Sequence, residues 1–275
     1  MLADLQKLLY ETAIPVAIEA GNAALSIRDT HLHIEYKTDN SPVSNADIES
    51  NAIILSRLAS TGIPIISEES EMGEYDERKN FGLYWLVDPI DGTREFVSGG
   101  SDFTVNIALI HDASPILGVI YAPAHHTIYF GFENRHAYRA SIDERQQLVR
   151  ASRLPCEKTG NITVVQSKSH KNAETEKLIE QITTHFSNTQ VISRSSSLKF
   201  CLLAEGSADL YLRCRAVNEW DIAAGHAILA AAGGKLINIG NHKSISYNSE
   251  TMKTPDFAGA LNAGLLLQVL SLIKQ

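Results

Sequence analysis

The chain has 275 residues, enough for one large domain or two closely packed lobes around a substantial buried core. It is 44% hydrophobic and 20% charged with a formal charge of −8, an ordinary globular composition. That charge argues against nonspecific nucleic-acid binding, which needs a basic surface, but it leaves open an anionic small-molecule site whose field is reversed by metal ions.

Cys156, Cys201 and Cys214 are odd in number, lack zinc-like spacing and read as reduced core thiols. The opening MLADLQKLLYE lacks the basic segment of a signal peptide, and no apolar run reaches the length of a membrane span. A soluble, cytoplasmic protein is the expectation, with peripheral association at the inner face of the cell membrane left open. Oligomeric state is not legible.

Residues 2–28 carry apolar side chains at helical spacing, with Pro15 dividing or kinking the segment. Leu32, Ile34 and Tyr36 alternate like a strand, and residues 39–42 form a loop. Ser44 followed by Asp47 is a helix-capping pattern before Ile48, Ala52, Leu55 and Leu58. Strands are expected at 63–67 and 84–87, then at 103–110, 115–121, 127–132 and 136–139. Beyond residue 155 come a strand at 162–166, a helix at 173–186, a short strand at 191–192, a helix at 196–204 and a strand at 208–212. An apolar helix at 220–232 closes on Gly233-Gly234, and a last helix spans 261–273. Residues 234–259 stay unassigned. Mixed strands and helices without strict alternation predict layered sheets and helices. The expectation is a single unit of two packed lobes, roughly 1–155 and 156–275, with the site in the cleft between them.

The most informative segment is Trp85-Leu86-Val87-Asp88-Pro89-Ile90-Asp91-Gly92-Thr93. An apolar strand delivers two carboxylates onto a tight turn, where Pro89 fixes one backbone angle and Gly92 lets the chain reverse. Asp88 and Asp91 repel each other unless a cation lies between them, and hard oxygen ligands suit magnesium. A helical turn at 94–97 would leave the N–H groups near Gly92 and Thr93 free to seat an anion. Alone, the segment is also compatible with a solvated acidic turn. Glu68 ends a separate strand, Glu69 and Glu71 read as solvated charges, and Asp221 at a helix start reads as a cap. His226 reads as a satisfied core histidine.

Together, S-E-E-S, W-L-V-D-P-I-D-G-T and W-D-I-A-A-G-H-A resemble the lithium-sensitive inositol monophosphatase superfamily. Within it, the segments at 37–47, 93–96, 103–110, 115–123 and 196–206 are most similar to the CysQ-type 3′(2′),5′-bisphosphate nucleotidases. Arg94 stands where those relatives often carry lysine. The resemblance implies an α/β (α+β) fold, a layered αβαβα sandwich of the inositol monophosphatase and sugar phosphatase type.

It also implies a magnesium-dependent phosphomonoesterase that hydrolyses adenosine 3′,5′-bisphosphate to AMP and phosphate. Two or three magnesium ions would be held by Glu68, Asp88, Asp91, Asp221 and the Ile90 carbonyl. Thr93, oriented by Asp47, would position the attacking water; Asp47 also has a plain reading as a helix-capping residue. Gly92 and Thr93 would hold phosphate oxygens through backbone N–H groups. Substrate would meet Glu68, Ile90, Asp91, Gly92, Thr93 and Asp221, with Ser197 and Lys199 in the nucleotide-binding segment. Lys199 would pair with a second, non-scissile phosphate, and Arg213 and Arg215 either face an anion or are surface charges. An inositol monophosphatase or other small sugar-phosphate phosphatase is the alternative, and a phosphometabolite-binding protein on the same scaffold is a third reading.

Overall fold

The computed structural model describes every residue except Met1, Asp39, Asn134, residues 157–159, His170, Lys171, Lys274 and Gln275. Asp39, within the expected 39–42 loop, therefore lies outside the described residues.

The chain opens with α1 (Leu2–Lys7), a π-helical stretch (Leu8–Ala13) and α2 (Ile14–Thr30). Pro15 lies in the first turn of α2. Lacking an N–H, it cannot bond the carbonyl four residues back, so the helix changes register just before it. β1 (Ile34–Tyr36) pairs antiparallel with β2 (Pro42–Ser44), so the expected loop is already strand at Pro42. A proline is tolerated there because the ribbon has only two strands and both are edges. α3 (Asn45–Leu58) begins at Ser44 with a capping box, in which Asp47 Oδ2 accepts the Ser44 N–H at 2.8 Å.

β3 (Ile65–Ser67) runs parallel to β4 (Leu83–Asp91), with α4 (Tyr75–Arg78) between them in sequence. β4 is longer than the sequence suggests. It passes through Asp88 and reaches Asp91, and its pairing with β5 (Thr104–His111) slips between those two residues. The expected tight turn is therefore a bulge inside a strand, placed where Pro89 cannot supply a ladder N–H. α5 (Thr93–Val97) follows at once, and Gly92 at its start has φ +92°. A side chain at Gly92 would be strained and would press on the Asp102 carbonyl at 3.1 Å.

β6 (Ser114–Ala122), β7 (Thr127–Phe132), β8 (Tyr138–Ile142) and β9 (Leu148–Arg153) complete a sheet of order β3-β4-β5-β6-β7-β8-β9. β9 escaped the sequence reading because no residue in it is buried, so no apolar alternation marks it.

The second half supplies β10 (Ile162–Ser167), α6 (Ala173–His185), β11 (Thr189–Arg194), α7 (Leu198–Glu205) and β12 (Leu210–Arg213). It continues with α8 (Trp220–Ala231), β13 (Lys235–Asn238), β14 (Phe257–Ala260) and α9 (Ala263–Ile273). Its sheet runs β11-β10-β12-β14-β13, parallel through β12 and antiparallel beyond. β13 and β14 fall in the unassigned stretch.

Alternation along the strands sets the layers. Trp85 and Val87 pack with Leu9, Ile14 and Ile54 from the N-terminal helices. Tyr84 and Leu86 face the other way, into one cluster with Phe200, Ala224 and Val165. Val164, on the far side of the second sheet, joins Ile179 and Val269. Helix, sheet, helix, sheet and helix thus stack as the expected αβαβα sandwich. Gly118 in β6 lets α8 lie close, because a Cβ there would collide with the Ala224 carbonyl oxygen. Of the three cysteines only Cys201 is a core thiol; Cys156 is exposed and Cys214 half-buried. Among the described residues no helix is long and apolar enough to cross a membrane.

Candidate active site

Three elements converge on one acidic cluster. Glu68 follows β3, its N–H bonded to the Val87 carbonyl of β4 at 3.1 Å. Asp88 lies in β4, 1% exposed, and Asp221 is the second residue of α8. One carboxylate oxygen from each of the three lies within 4.8 Å of those from the others.

Burial first, and then mutual repulsion, push the Asp88 and Asp221 carboxyls well above the usual range. Burial also raises Glu68 to about 7, against the opposing pull of Lys37. Asp91 lines the same cavity, and its Oδ2 accepts a hydrogen bond from the Ser197 hydroxyl at 2.9 Å. The Ile90 N–H donates to Asp88 Oδ1 at 3.1 Å, and the Ile90 carbonyl oxygen lies 3.1 Å from Thr93 Oγ1. Close-set carboxylates, Asp88 buried and the others half-buried, with a carbonyl beside them, form a donor set suited to a hard divalent cation.

Asp47 carries both of its sequence readings. Oδ2 accepts from the Ser44 N–H and hydroxyl, at 2.8 and 2.6 Å, which is the capping role. Oδ1 lies 3.3 Å from Thr93 Oγ1. The Thr93 hydroxyl hydrogen thus has two acceptors, Asp47 and the Ile90 carbonyl, and a lone pair on that oxygen is left for a further donor. Burial raises the Asp47 carboxyl, with the Ser44 hydrogen bonds opposing it.

A cavity of about 530 Å³ is lined by Glu68, Asp91, Gly92, Thr93 and Asp221, and also by Arg94, Lys199, Arg213, Arg215 and Lys253. Lys199 is 5% exposed, bonds the Ser196 carbonyl and lies 5.5 Å from the centre of the Tyr211 ring. It is therefore a held cation rather than a mobile surface charge. Arg213 Nε is buried without a hydrogen-bond partner.

Ser197 is placed differently from the sequence expectation. It is 1% exposed and not among the cavity-lining residues; its hydroxyl lies 2.9 Å from both Asp91 Oδ2 and the Asp221 carbonyl oxygen, and it accepts from Asn106 Nδ2 at 2.9 Å. Its neighbour Ser196 lines the cavity instead.

Glu69 is also not the solvated charge the sequence suggests. Lys37 binds it at 2.5 Å and reaches Glu68 at 3.4 Å, and the Glu69 side chain is 13% exposed. Lys37, Asn106 and Lys253 are the residues that sequence reasoning missed. Asn106 had a faint signal, a lone amide in an apolar strand; Lys37 opens the 37–47 segment that carries the resemblance, but nothing in its spacing points to partners more than thirty positions away. His226 is the expected core histidine, 3.0 Å from the Tyr247 hydroxyl and lowered to about 4 by burial.

The five-layer fold and the shared acidic and basic cavity define a class. The profile of the inositol monophosphatase family matches residues 5–269, and the chain belongs to that family. It is 43% identical over 230 residues to the 3′(2′),5′-bisphosphate nucleotidase CysQ of Escherichia coli (strain K12), which covers 82% of this chain and 88% of that protein. The CysQ nucleotidase of Salmonella typhimurium is 39% identical over 255 residues, 90% of this chain and 98% of that one. The crystal structure of CysQ from Bacteroides thetaiotaomicron, a bacterial member of the inositol monophosphatase family, matches with a TM-score of 0.82. It is 37% identical and covers 91% of this chain and 96% of that one.

Proposed function

We propose that this chain is a magnesium-dependent 3′(2′),5′-bisphosphate nucleotidase that converts adenosine 3′,5′-bisphosphate to AMP and phosphate. The observation that carries the reading is the single cavity lined both by Glu68, Asp91 and Asp221 and by Lys199, Arg213 and Arg215. A substrate with one phosphate to cleave and a second to anchor fits such a lining better than an inositol monophosphate does.

Glu68, Asp88, Asp91, Asp221 and the Ile90 carbonyl would hold two or three magnesium ions in the cleft between the two lobes. A magnesium ion held there would supply Lewis acidity, making a nearby water more acidic and offsetting charge on the phosphate. Thr93 Oγ1, its hydrogen directed to Asp47 or Ile90, would accept from the attacking water and orient it. Backbone N–H groups of Gly92 and Thr93 hold phosphate oxygens. Lys199 provides a point charge to the second phosphate. Ser197 acts beneath the carboxylates by fixing Asp91. No protein nucleophile is required.

Phosphate release from adenosine 3′,5′-bisphosphate and from inositol 1-phosphate tests the reading, with magnesium, in excess chelator, and after magnesium is restored. Turnover should vanish and return with the metal. kcat/KM should favour the bisphosphate by about 10-fold or more, the worth of one charge-assisted contact. Faster hydrolysis of inositol 1-phosphate overturns the substrate, and full activity in chelator overturns the metal.

A further inference from the structure

α8 begins beside a second buried carboxylate, two residues before Asp221. Glu219 is fully buried and is not among the residues lining the cavity. Its oxygens accept the backbone N–H groups of Asn248 at 2.6 Å and Ser249 at 2.9 Å, and its own N–H donates to the Met252 carbonyl at 2.9 Å. On one side Lys253 Nζ reaches Asn218 Oδ1 at 2.5 Å. On the other, the Thr254 N–H donates to the Val217 carbonyl and the Thr254 hydroxyl accepts the Val217 N–H. Residues 217–219 and 248–254 are thus laced together. The first of these strips carries Asn218, whose N–H donates to Asp221 Oδ2 at 3.0 Å.

The 248–252 turn does not hold that shape by local preference. Met252 sits at φ +53°, the left-handed region that most L-residues avoid, and Asn248 at φ +69°, which asparagine tolerates. Arg78, the last residue of α4, fills the inside of the turn and is 3% exposed. Its Nη1 donates to Asn248 Oδ1 at 2.7 Å and to the Ser249 carbonyl at 2.9 Å, and its Nη2 donates to the Glu250 carbonyl at 2.5 Å. Asn248 Nδ2 returns a bond to the Arg78 carbonyl at 2.6 Å. Withdrawing that guanidinium would leave the Asn248 amide oxygen and the Ser249 and Glu250 carbonyls without the donor that holds the turn.

We propose that Arg78 and Glu219 are positioning residues for Asp221: the arginine sets the turn, the turn sets Glu219, and Glu219 fixes the start of α8. The inference rests on the function proposed above, in which Asp221 holds magnesium. Neither residue lines the cavity. Their effect is on where the Asp221 carboxylate is held before the ion arrives.

The test is calorimetric titration of the full-length, metal-free protein with magnesium alone, at a temperature well below each variant's Tm. Arg78→Lys and Glu219→Gln should each bind magnesium roughly 10-fold more weakly, as loss of an outer partner of a metal ligand does. The double variant should be little weaker than either single one, because both act through the same turn. Val269→Ala, a core truncation in α9, should lower Tm without changing the magnesium affinity. Asn248→Ala trims the same turn while leaving both charges, and carries the measurement should Arg78→Lys not fold. Wild-type magnesium affinity in folded Arg78→Lys and Glu219→Gln would overturn the proposal and leave them a stability role only. Wild-type affinity in Asp221→Asn would remove Asp221 from the metal site, which fails the functional reading and this inference with it.

Discussion

Asp91 and Lys199 line the same cavity, and the proposed mechanism gives them separable tasks. Asp91→Asn removes one negative ligand and keeps the shape. It should lower turnover on every phosphate ester, because the metal acts on the group that all of them share. Lys199→Ala should weaken use of the bisphosphate by about 1.5–3 kcal/mol, roughly 10–150-fold, while a monophosphate is hydrolysed almost as before. The quantity to measure is kcat/KM for bisphosphate over monophosphate, which stays flat for Asp91→Asn and falls for Lys199→Ala. An unchanged ratio in a folded Lys199→Ala protein removes that lysine from substrate recognition. At this scale the sequence was readable where chemistry was written locally. Two carboxylates around a proline and before a glycine mark Asp88 and Asp91. Asp221, read alone, is a helix cap, and its Oδ2 does accept the Asn218 N–H; membership of a cluster with Glu68 and Asp88 depends on where β3 and β4 place them. Ser197 lies in a segment similar to a nucleotide-binding one, but its hydroxyl lies beneath Asp91, an orientation that only the packing of α7 decides.

α3 links the local code to the site more directly than any other element. Ser44 caps it and at the same time holds Asp47 Oδ2, while Asp47 Oδ1 faces Thr93. Ser44→Ala should therefore cost about 0.5–2 kcal/mol of stability from the lost cap. It should also lower kcat at saturating magnesium, because Asp47 loses its shortest tether. Ser44→Thr, which retains the hydroxyl, should restore both. Thermal melts alongside kcat would check this; a lowered Tm with wild-type kcat would confine Asp47 to capping. α3 and α6, with their helical spacing, and the long apolar runs of α8 and β5 to β7 were legible in the sequence. β2, β13 and β14 were not: Pro42 reads as loop, and β13 follows Gly233-Gly234 while β14 contains Gly259, so turn residues mask both short strands. β4 was cut short at Asp88 because Pro89 and Gly92 are turn residues, whereas here they mark a bulge and the start of a helix.

The whole molecule bears the cost of gathering these carboxylates on one buried wall, and its stability should record that as a dependence on pH and metal. Without metal, folding raises the carboxyls of Asp88 and Asp221 well above their ordinary value and moves Glu68 from 4.5 to about 7. The native state then binds more protons than the unfolded chain, so unfolding free energy falls as pH rises. This contribution is fully present below the unfolded pKa. For Glu68 it is lost between its ordinary value and about 7, and for the two aspartates the loss extends upward from their ordinary value. Magnesium held as proposed would bind the ionised form, so it would compete with those protons and its stabilising effect should grow over the same range. Melts in chelator should show Tm dropping from about pH 5 to about pH 8, and melts in excess magnesium should show a much flatter profile. Asp88→Asn, neutral and nearly isosteric, should remove much of the slope in chelator and raise the metal-free Tm at about pH 8, while weakening the magnesium response and abolishing turnover. A stabilising substitution that destroys activity is the signature of a site under electrostatic strain. A metal-free Tm that rises with pH across this range, or a magnesium shift that does not depend on pH, would show that the carboxylates are not held against their charge.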